Sequence, residues 1–170
     1  LGLARTLQIK SVFNGMTVLE NLWIAAQSRD GVFKPFQHAS NLKRANETAE
    51  RICEELGLTH LANQEASNLS YGDIALLEMG LALATDPKLL LLDEPICGMG
   101  PAETEQTVKK IQDLAHKIDI VIIEHDIEVV FDISEDIIVM NLGKVLARGT
   151  PNDIANNTEV RTAYLGDPDA

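Results

Sequence analysis

Two acidic residues that follow a run of four leucines are the most informative local feature of the sequence. The segment LLLLDEP occupies residues 89–95, so Asp93 and Glu94 stand where a buried strand would end. In open α/β sheets, ligands bind at the carboxyl edge of the strands. One carboxylate there can hold Mg²⁺ through water, and the next can orient a water for attack on a phosphoryl group. The alternative is that both acids only cap the following segment.

A second candidate site is the segment LSYGD at residues 69–73, which opens a stretch of helical periodicity. Ser70 offers a hydroxyl, and Gly72 lets the backbone approach a ligand closely. Backbone amides at the start of a helix attract anions. The segment therefore predicts an anion site, although Ser70 as an ordinary N-cap is the simpler explanation when the segment is taken alone.

Two single residues carry weaker signals. His125 follows directly after a predicted strand over residues 119–124, which places it at the same sheet edge as Asp93 and Glu94. A lone histidine is usually structural, and Gln8 by itself indicates nothing more than a surface residue.

The hydrophobic pattern predicts an α/β order of elements around these residues. Helices are predicted over residues 17–29, 40–56, 72–85, 101–117 and 126–133, buried strands over 88–93 and 119–124, and a hairpin over 136–147. Thr17 and Glu20 have the spacing of a capping box. The helix over 72–85 is apolar nearly all round, so we expect it to be buried. Two buried parallel strands and one hairpin form a thin sheet. Because parallel sheets need neighbours on both sides, we expect further parts of the core around these strands.

Length and charge limit the classes of protein to which the chain can belong. It has 170 residues, the size of one domain. Acidic residues number 26 and basic residues 14, so the net charge of −12 argues against a nucleic-acid binder. No apolar run reaches the ~18 residues of a membrane span. Cys53 and Cys97 fit neither a metal spacing nor a disulfide framework, which favours a reducing compartment.

The order of the motifs resembles that of the ATP-binding subunits of ABC transporters. In that family a Q-loop glutamine precedes a signature of LSGGQ type, a Walker B strand ending in Asp-Glu, a D-loop and an H-loop histidine. The matching positions are Gln8, LSYGD at 69–73, LLLLDEP at 89–95, GMGP at 98–101 and His125. The segments ARTLQ, MTVLENL and DEPICGMGPAET, and the long stretch from VIIEHD to LARGTP, look like the subunits of branched-chain amino-acid importers and their urea-type relatives.

This resemblance implies an α/β fold with a partial P-loop NTPase (ABC ATPase) core of parallel strands and an α-helical subdomain. Residues 1–9 would hold the Q-loop and the end of the preceding core, and residues 10–86 the helical subdomain with the signature. Residues 87–150 would form the ATPase core with Walker B, D-loop and H-loop, and residues 151–170 a C-terminal helical tail.

The sequence departs from the family pattern at three points. It contains no G-x-x-x-x-G-K-[ST] loop, which cradles phosphates. Asp73 replaces the usual glutamine of the signature, which puts the strength of that site in doubt. Gly100 stands where the D-loop usually has Asp or Asn. We therefore expect a fragment that lacks roughly the first third of its subunit, the part with this loop, and we expect the fragment alone to be inactive.

The resemblance also implies a function, which is to bind and hydrolyse ATP and so power an ABC importer for branched-chain amino acids or a related small solute. Glu94 would polarise the attacking water and His125 would hold the γ-phosphate, as catalytic residues. Asp93 and Gln8 would serve Mg²⁺, partly through water. The remaining nucleotide contacts are assigned to Gln8, Ser70, Tyr71, Gly72 and Asp73, those of the signature reaching ATP held by the opposite subunit.

The implied partners are a second ATP-binding subunit, identical or not, transmembrane permease subunits contacted by residues 14–29, and, indirectly, a periplasmic solute-binding protein. The implied location is the cytoplasmic side of the cell membrane, with no nucleic-acid partner. Two alternatives stay open. One is an ABC-type ATPase outside transport, and the other is a catalytically inert fragment that acts as an interaction module.

Overall fold

A computed structural model describes residues 2–6, 12–28 and 43–164 of the chain. In chain order the elements are β1 (Leu3–Arg5), α1 (Val18–Gln27), α2 (Lys43–Glu55), α3 (Tyr71–Leu83), β2 (Leu89–Asp93), α4 (Pro101–Ala115), β3 (Asp119–Ile123), α5 (Ile127–Ile133), β4 (Ile137–Asn141), β5 (Lys144–Gly149), α6 (Pro151–Ala155) and α7 (Thr158–Tyr164). Two 3-10 turns, Thr59–Leu61 and Ala66–Asn68, lie between α2 and α3. The elements form two compact units that divide between Glu124 and His125.

The first unit contains a sheet of three parallel strands in the order β1-β2-β3. Strand β2 is central, with Leu91 aligned between Arg5 of β1 and Val121 of β3. The sequence predicted β2 and β3 but not β1, because three residues are too few to show a period. The parallel arrangement brings the carboxyl ends of β2 and β3 to one edge, where Asp93 is paired with Ile123.

The two faces of this sheet differ in burial. Leu90 and Leu92 are fully buried on one face, whereas Val121 and Ile123 on the other face are 49% and 58% exposed. The prediction that residues 119–124 form a buried strand is therefore wrong for the part of the chain that the structure describes. An apolar run such as DIVII shows that a strand can be buried, but it does not show which element covers it.

Helix α1 starts as the sequence predicts. The Thr17 side chain accepts a hydrogen bond from the N–H of Glu20, and the Glu20 carboxylate accepts one from the N–H of Thr17. The N–H and the hydroxyl of Thr17 both donate to the Glu20 carboxylate and lower its pKa below the usual value, the backbone bond being the larger cause. The capping box satisfies amides that the first turn of a helix leaves without partners.

Helix α3 is the buried helix of the first unit and packs against α1 and α2. Most of its residues are buried or half-buried, and Tyr71 at its start is exposed. The prediction that this helix is buried is confirmed. Gly80 allows the close approach, since a Cβ there would lie 2.7 Å from Leu22 Cδ2 and 2.9 Å from Leu56 Cδ1.

The second unit consists of α5, the β4–β5 hairpin, α6 and α7. Its core is formed by Ile137, Ile154 and Val160. The predicted hairpin is confirmed, with Leu142 at φ 49° and Gly143 at φ 76°. Two successive left-handed residues are what a two-residue hairpin turn of type I′ requires. The predicted division into residues 1–9, 10–86, 87–150 and 151–170 stays a prediction.

Among the described residues, none of the helices combines the length and apolar character needed to cross a lipid bilayer.

Candidate functional site

The acidic end of β2 is held by contacts from the last residue of β1 and the residue after it. Asp93 Oδ2 accepts a hydrogen bond and ion pair from Arg5 Nη2 at 2.8 Å, and the Asp93 side chain is 18% exposed. The N–H of Asp93 donates to Thr6 Oγ1 at 3.3 Å. The carboxylate is therefore fixed at the sheet edge and already has a cationic partner.

Glu94 has an unusual backbone conformation for a non-glycine residue. Its φ is 47°, in the left-handed region, where the Cβ of an L-residue crowds the following carbonyl. Its N–H donates to the carbonyl of Ile123 at 2.9 Å, which extends the β2–β3 ladder by one residue. Such strain is concentrated at functional sites, and here it falls on the residue assigned to activate water.

A cavity of about 160 Å³ lies between the end of β2 and helix α3. Asp93, Glu94 and Tyr71 line it, so three of the predicted site residues share one cavity. Its other lining residues are Thr6, Ile74, Ala75, Glu78, Met79, Pro95, Cys97 and Met99. The structure thus brings the start of the signature helix and the Walker B carboxylates together within one chain.

The signature turn, residues 70–73, is closed by its own side chains. Ser70 is the N-cap of α3, and its hydroxyl accepts from the N–H of Asp73 at 3.2 Å. The same hydroxyl donates to Asp73 Oδ2 at 2.8 Å. The residue that departs from the family pattern therefore directs its carboxylate to the serine of the same turn.

Glu103 is a residue of this region whose role the sequence did not predict. Its carboxylate accepts from the N–H of Gly72 at 3.4 Å and from the N–H of Gly100 at 3.2 Å. These bonds and one with the Ser70 side chain lower the pKa of Glu103, the Gly100 amide being the largest cause. The position of Glu103 in the first turn of α4 was the available sequence signal, but it indicates only an interaction with that helix's own amides.

Two predicted site residues remain, Gln8 and His125. Gln8 lies outside the described residues. His125 is exposed and is the first residue of the second unit, directly before Asp126, whose side chain caps α5. Their assigned roles stay predictions.

The donor set at the end of β2 is compatible with Mg²⁺ held largely through water. A single carboxylate at an edge of the sheet is a common magnesium ligand, because this ion keeps several of its waters. Asp93 already binds a cationic group, that of Arg5. Among residues 2–6, 12–28 and 43–164, no three His, Cys, Asp or Glu side chains cluster as a metal site.

Comparison with known families gives two matches. Residues 2–97 match the ABC transporter family, and residues 144–170 match the family described as branched-chain amino acid ATP-binding cassette transporter. The first match contains the strand β1, the signature turn and both acidic residues of the β2 end.

Several curated proteins are similar over nearly the whole chain. The high-affinity branched-chain amino acid transport ATP-binding protein LivG of Escherichia coli K12 is 41% identical over 98% of this chain and 69% of its own length. Its counterpart BraF of Pseudomonas aeruginosa is 39% identical over 98% of this chain and 68% of its own length. A probable LivG of Archaeoglobus fulgidus is 39% identical over the whole chain and 68% of its own length.

Solved structures show the same fold. The structure of a nucleotide-free ATP-binding cassette from an ABC transporter is 31% identical, with a TM-score of 0.75 over 99% of this chain and 66% of that one. An ATP-binding cassette in its ADP conformation is also 31% identical, with a TM-score of 0.76 over 98% of this chain and 69% of that one.

These matches confirm the α/β ABC ATPase fold class and the predicted resemblance. They also confirm the predicted type of function, because the similar proteins are named as ATP-binding proteins of branched-chain amino acid transport. The chain belongs to the ABC transporter family of ATP-binding proteins.

Proposed function

We propose that the protein carrying this chain hydrolyses ATP to power an importer for branched-chain amino acids or a related small solute. The observation that carries the proposal is the β2 end, where Asp93 is fixed by Arg5 and Glu94 follows in a strained conformation beside one cavity. A structure keeps such strain only where its surroundings impose it, and this position is where the family places the residues that act on phosphate.

In this proposal each residue has a defined part. Asp93 and Gln8 would hold Mg²⁺, largely through water. Glu94 orients the water that attacks the γ-phosphate, and His125 contacts that phosphate. Phosphoryl transfer needs mainly positioning and stabilisation of charge, and these groups supply both. Bound ATP supplies the phosphoryl group that is transferred.

The signature turn serves a second ATP-binding subunit, identical or different. Ser70 and Gly72, with Tyr71 and Asp73 beside them, contact the nucleotide held by that subunit. The 14–29 segment contacts transmembrane permease subunits. This segment contains helix α1. A solute-binding protein outside the membrane delivers the solute, and the ATP-binding protein lies on the inner face of the cell membrane.

The test uses the native gene product that carries this sequence, purified from its own membranes with whatever binds it. We expect transmembrane subunits to copurify and the complex to hydrolyse ATP. Glu94→Gln should retain ATP binding and lower hydrolysis by roughly 10²–10⁴-fold, the contribution of a positioned base. The control, Glu105→Gln, makes the same isosteric change at an exposed position of α4 and should leave hydrolysis unchanged.

Two results would contradict the proposal. Hydrolysis that survives Glu94→Gln would remove Glu94 from the role of base. A gene product that hydrolyses ATP but associates with no membrane subunit would indicate an ABC-type ATPase outside transport.

A further inference from the structure

The Glu103 carboxylate contacts two turns that lie far apart in the sequence. One oxygen accepts from the N–H of Gly72 in the signature turn at 3.4 Å, and the other accepts from the N–H of Gly100 at 3.2 Å. Gly100 belongs to residues 98–101, here called the D-loop turn, which lead into α4. A single side chain therefore holds one amide from each turn.

The glycine at position 72 is what permits this approach. A Cβ at Gly72 would lie 3.3 Å from Glu103 Cβ and 3.5 Å from Glu103 Oε1. The first distance is shorter than most carbon–carbon contacts, so a side chain at position 72 requires Glu103 or the turn to shift by a few tenths of an ångström. The contact thus depends on two residues, Gly72 and Glu103.

An ordinary helix cap explains only half of the arrangement. A glutamate at the third position of a helix commonly reaches back to the N-cap amide, as Glu103 does to Gly100. Such a cap has no need of an amide that lies 31 residues earlier in the chain. The bond to Gly72 joins α4 to the start of α3, and it makes the start of each helix depend on the position of the other.

We propose that Glu103 is a positioning residue that links the signature turn to the D-loop turn, so that displacement of one turn is transmitted to the other. This inference rests on the proposed function, in which the signature turn contacts nucleotide. A phosphate oxygen that approached the N–H of Gly72 would meet the Glu103 carboxylate on the same donor. Because two anions repel at such a distance, Glu103 must leave Gly72 when phosphate binds there, and its hold on Gly100 changes at the same time.

The test is an acid titration of the 170-residue chain followed by amide NMR. The carboxylate has a pKa below its ordinary value, so the two bonds persist at neutral pH and are lost as the pH falls through that lowered pKa. We expect the Gly72 and Gly100 amide signals to move together with one common midpoint. In a chain that also carries Asp73→Asn, Glu103→Gln should abolish both transitions, and Glu105→Gln should leave both unchanged.

Asp73 is the other carboxylate in this turn, since it accepts from Ser70. Asp73→Asn removes this second carboxylate and should preserve the common transition. Gly72→Ala should remove the response of residue 72 and leave that of Gly100, because the added Cβ displaces Glu103 from the signature turn alone. In Glu103→Gln the exchange of the Gly72 amide with solvent should rise by roughly three- to tenfold, as expected for the loss of one hydrogen bond.

In the Asp73→Asn chain, different midpoints for Gly72 and Gly100, or a Gly72 transition that survives Glu103→Gln, would overturn the inference. If Glu103→Gln does not fold, the wild-type chain and Gly72→Ala still give the decisive comparison. None of these amide signals requires ATP or a partner. Loss of the proposed ATP hydrolysis would leave them unchanged, so failure of the proposed function can be distinguished from failure of the Glu103 link.

Discussion

At the scale of single residues, the site is defined by how its acidic side chains are held. Asp93 is paired with Arg5, Asp73 with Ser70, and Glu103 with two backbone amides. Each carboxylate is thus fixed by a donor in a chain whose net charge is −12. Glu94 has a further distinctive property, which is a left-handed backbone with φ 47°.

The strain at Glu94 can be measured directly. Glu94→Gly and Glu94→Ala both remove the carboxylate and all of its contacts, and they differ only in the Cβ. At φ 47° the Cβ is unfavourable, so we expect the glycine variant to be more stable to urea than the alanine variant by about 1 kcal/mol.

The control for this pair is Glu105, which lies in α4. There the order should be reversed, with glycine less stable than alanine by about 1 kcal/mol. Equal stabilities of the two Glu94 variants would show that the backbone of this position is not strained.

At the scale of elements, helix α3 positions the site by packing against α1 and α2. Its buried residues include Leu77 and Met79, and a Cβ at Gly80 would meet Leu22 of α1 and Ile52 of α2. The start of this helix is the signature turn, so the packing of its middle fixes where Ser70 and Gly72 are presented. A change in that packing should reach the site through a rigid helix.

Gly80→Ala tests this close approach. The added methyl group would lie 2.7 Å from Leu22 Cδ2, and overpacking of this kind costs about 1–3 kcal/mol. The gain in helix propensity offsets about 1 kcal/mol of that cost. We expect a lower free energy of unfolding and a lower Tm, measured by circular dichroism during thermal unfolding.

A double variant identifies the cause of the loss. Leu22→Ala makes room for the new methyl group, so Gly80→Ala should cost less in that background than in the wild-type chain. Gly15→Ala is the matched control, because a Cβ at Gly15 meets no atom within 4 Å. Additive effects of Gly80→Ala and Leu22→Ala would show that the methyl group does not contact Leu22.

At the scale of the whole molecule, the chain combines ABC family motifs with a sequence that contains no G-x-x-x-x-G-K-[ST] loop. That loop supplies the lysine and the backbone amides that hold the phosphates. At the signature turn, the Ser70 hydroxyl donates a hydrogen bond to the Asp73 carboxylate, and the Gly72 N–H donates one to the Glu103 carboxylate. The 170-residue chain therefore lacks the strongest phosphate-binding element of its family.

We expect this chain by itself to bind Mg-ATP weakly and not to hydrolyse it. Isothermal titration calorimetry with Mg-ATP should give no saturable heat at micromolar nucleotide, and a titration with MgCl₂ alone provides the reference. A micromolar affinity would show that the residues present suffice to hold the triphosphate.

The sequence by itself determined the order of motifs, the long elements and the family. Apolar runs, capping pairs and the LLLLDEP segment are local patterns, and local patterns depend on residues only a few positions apart. They were enough to predict the capping box at Thr17, the β4–β5 hairpin and the acidic end of β2, all of which the structure contains.

The tertiary structure alone decided which distant residues meet and which faces are covered. Arg5 and Asp93 are 88 positions apart, and Gly72 and Glu103 are 31 apart, so no periodicity connects them. The exposure of β3 was equally hidden, because the apolar character of a strand is a property of its residues, whereas its burial depends on what packs against it. Contacts of this kind follow from the path of the whole chain, which brings sequence-distant groups to one edge of a sheet.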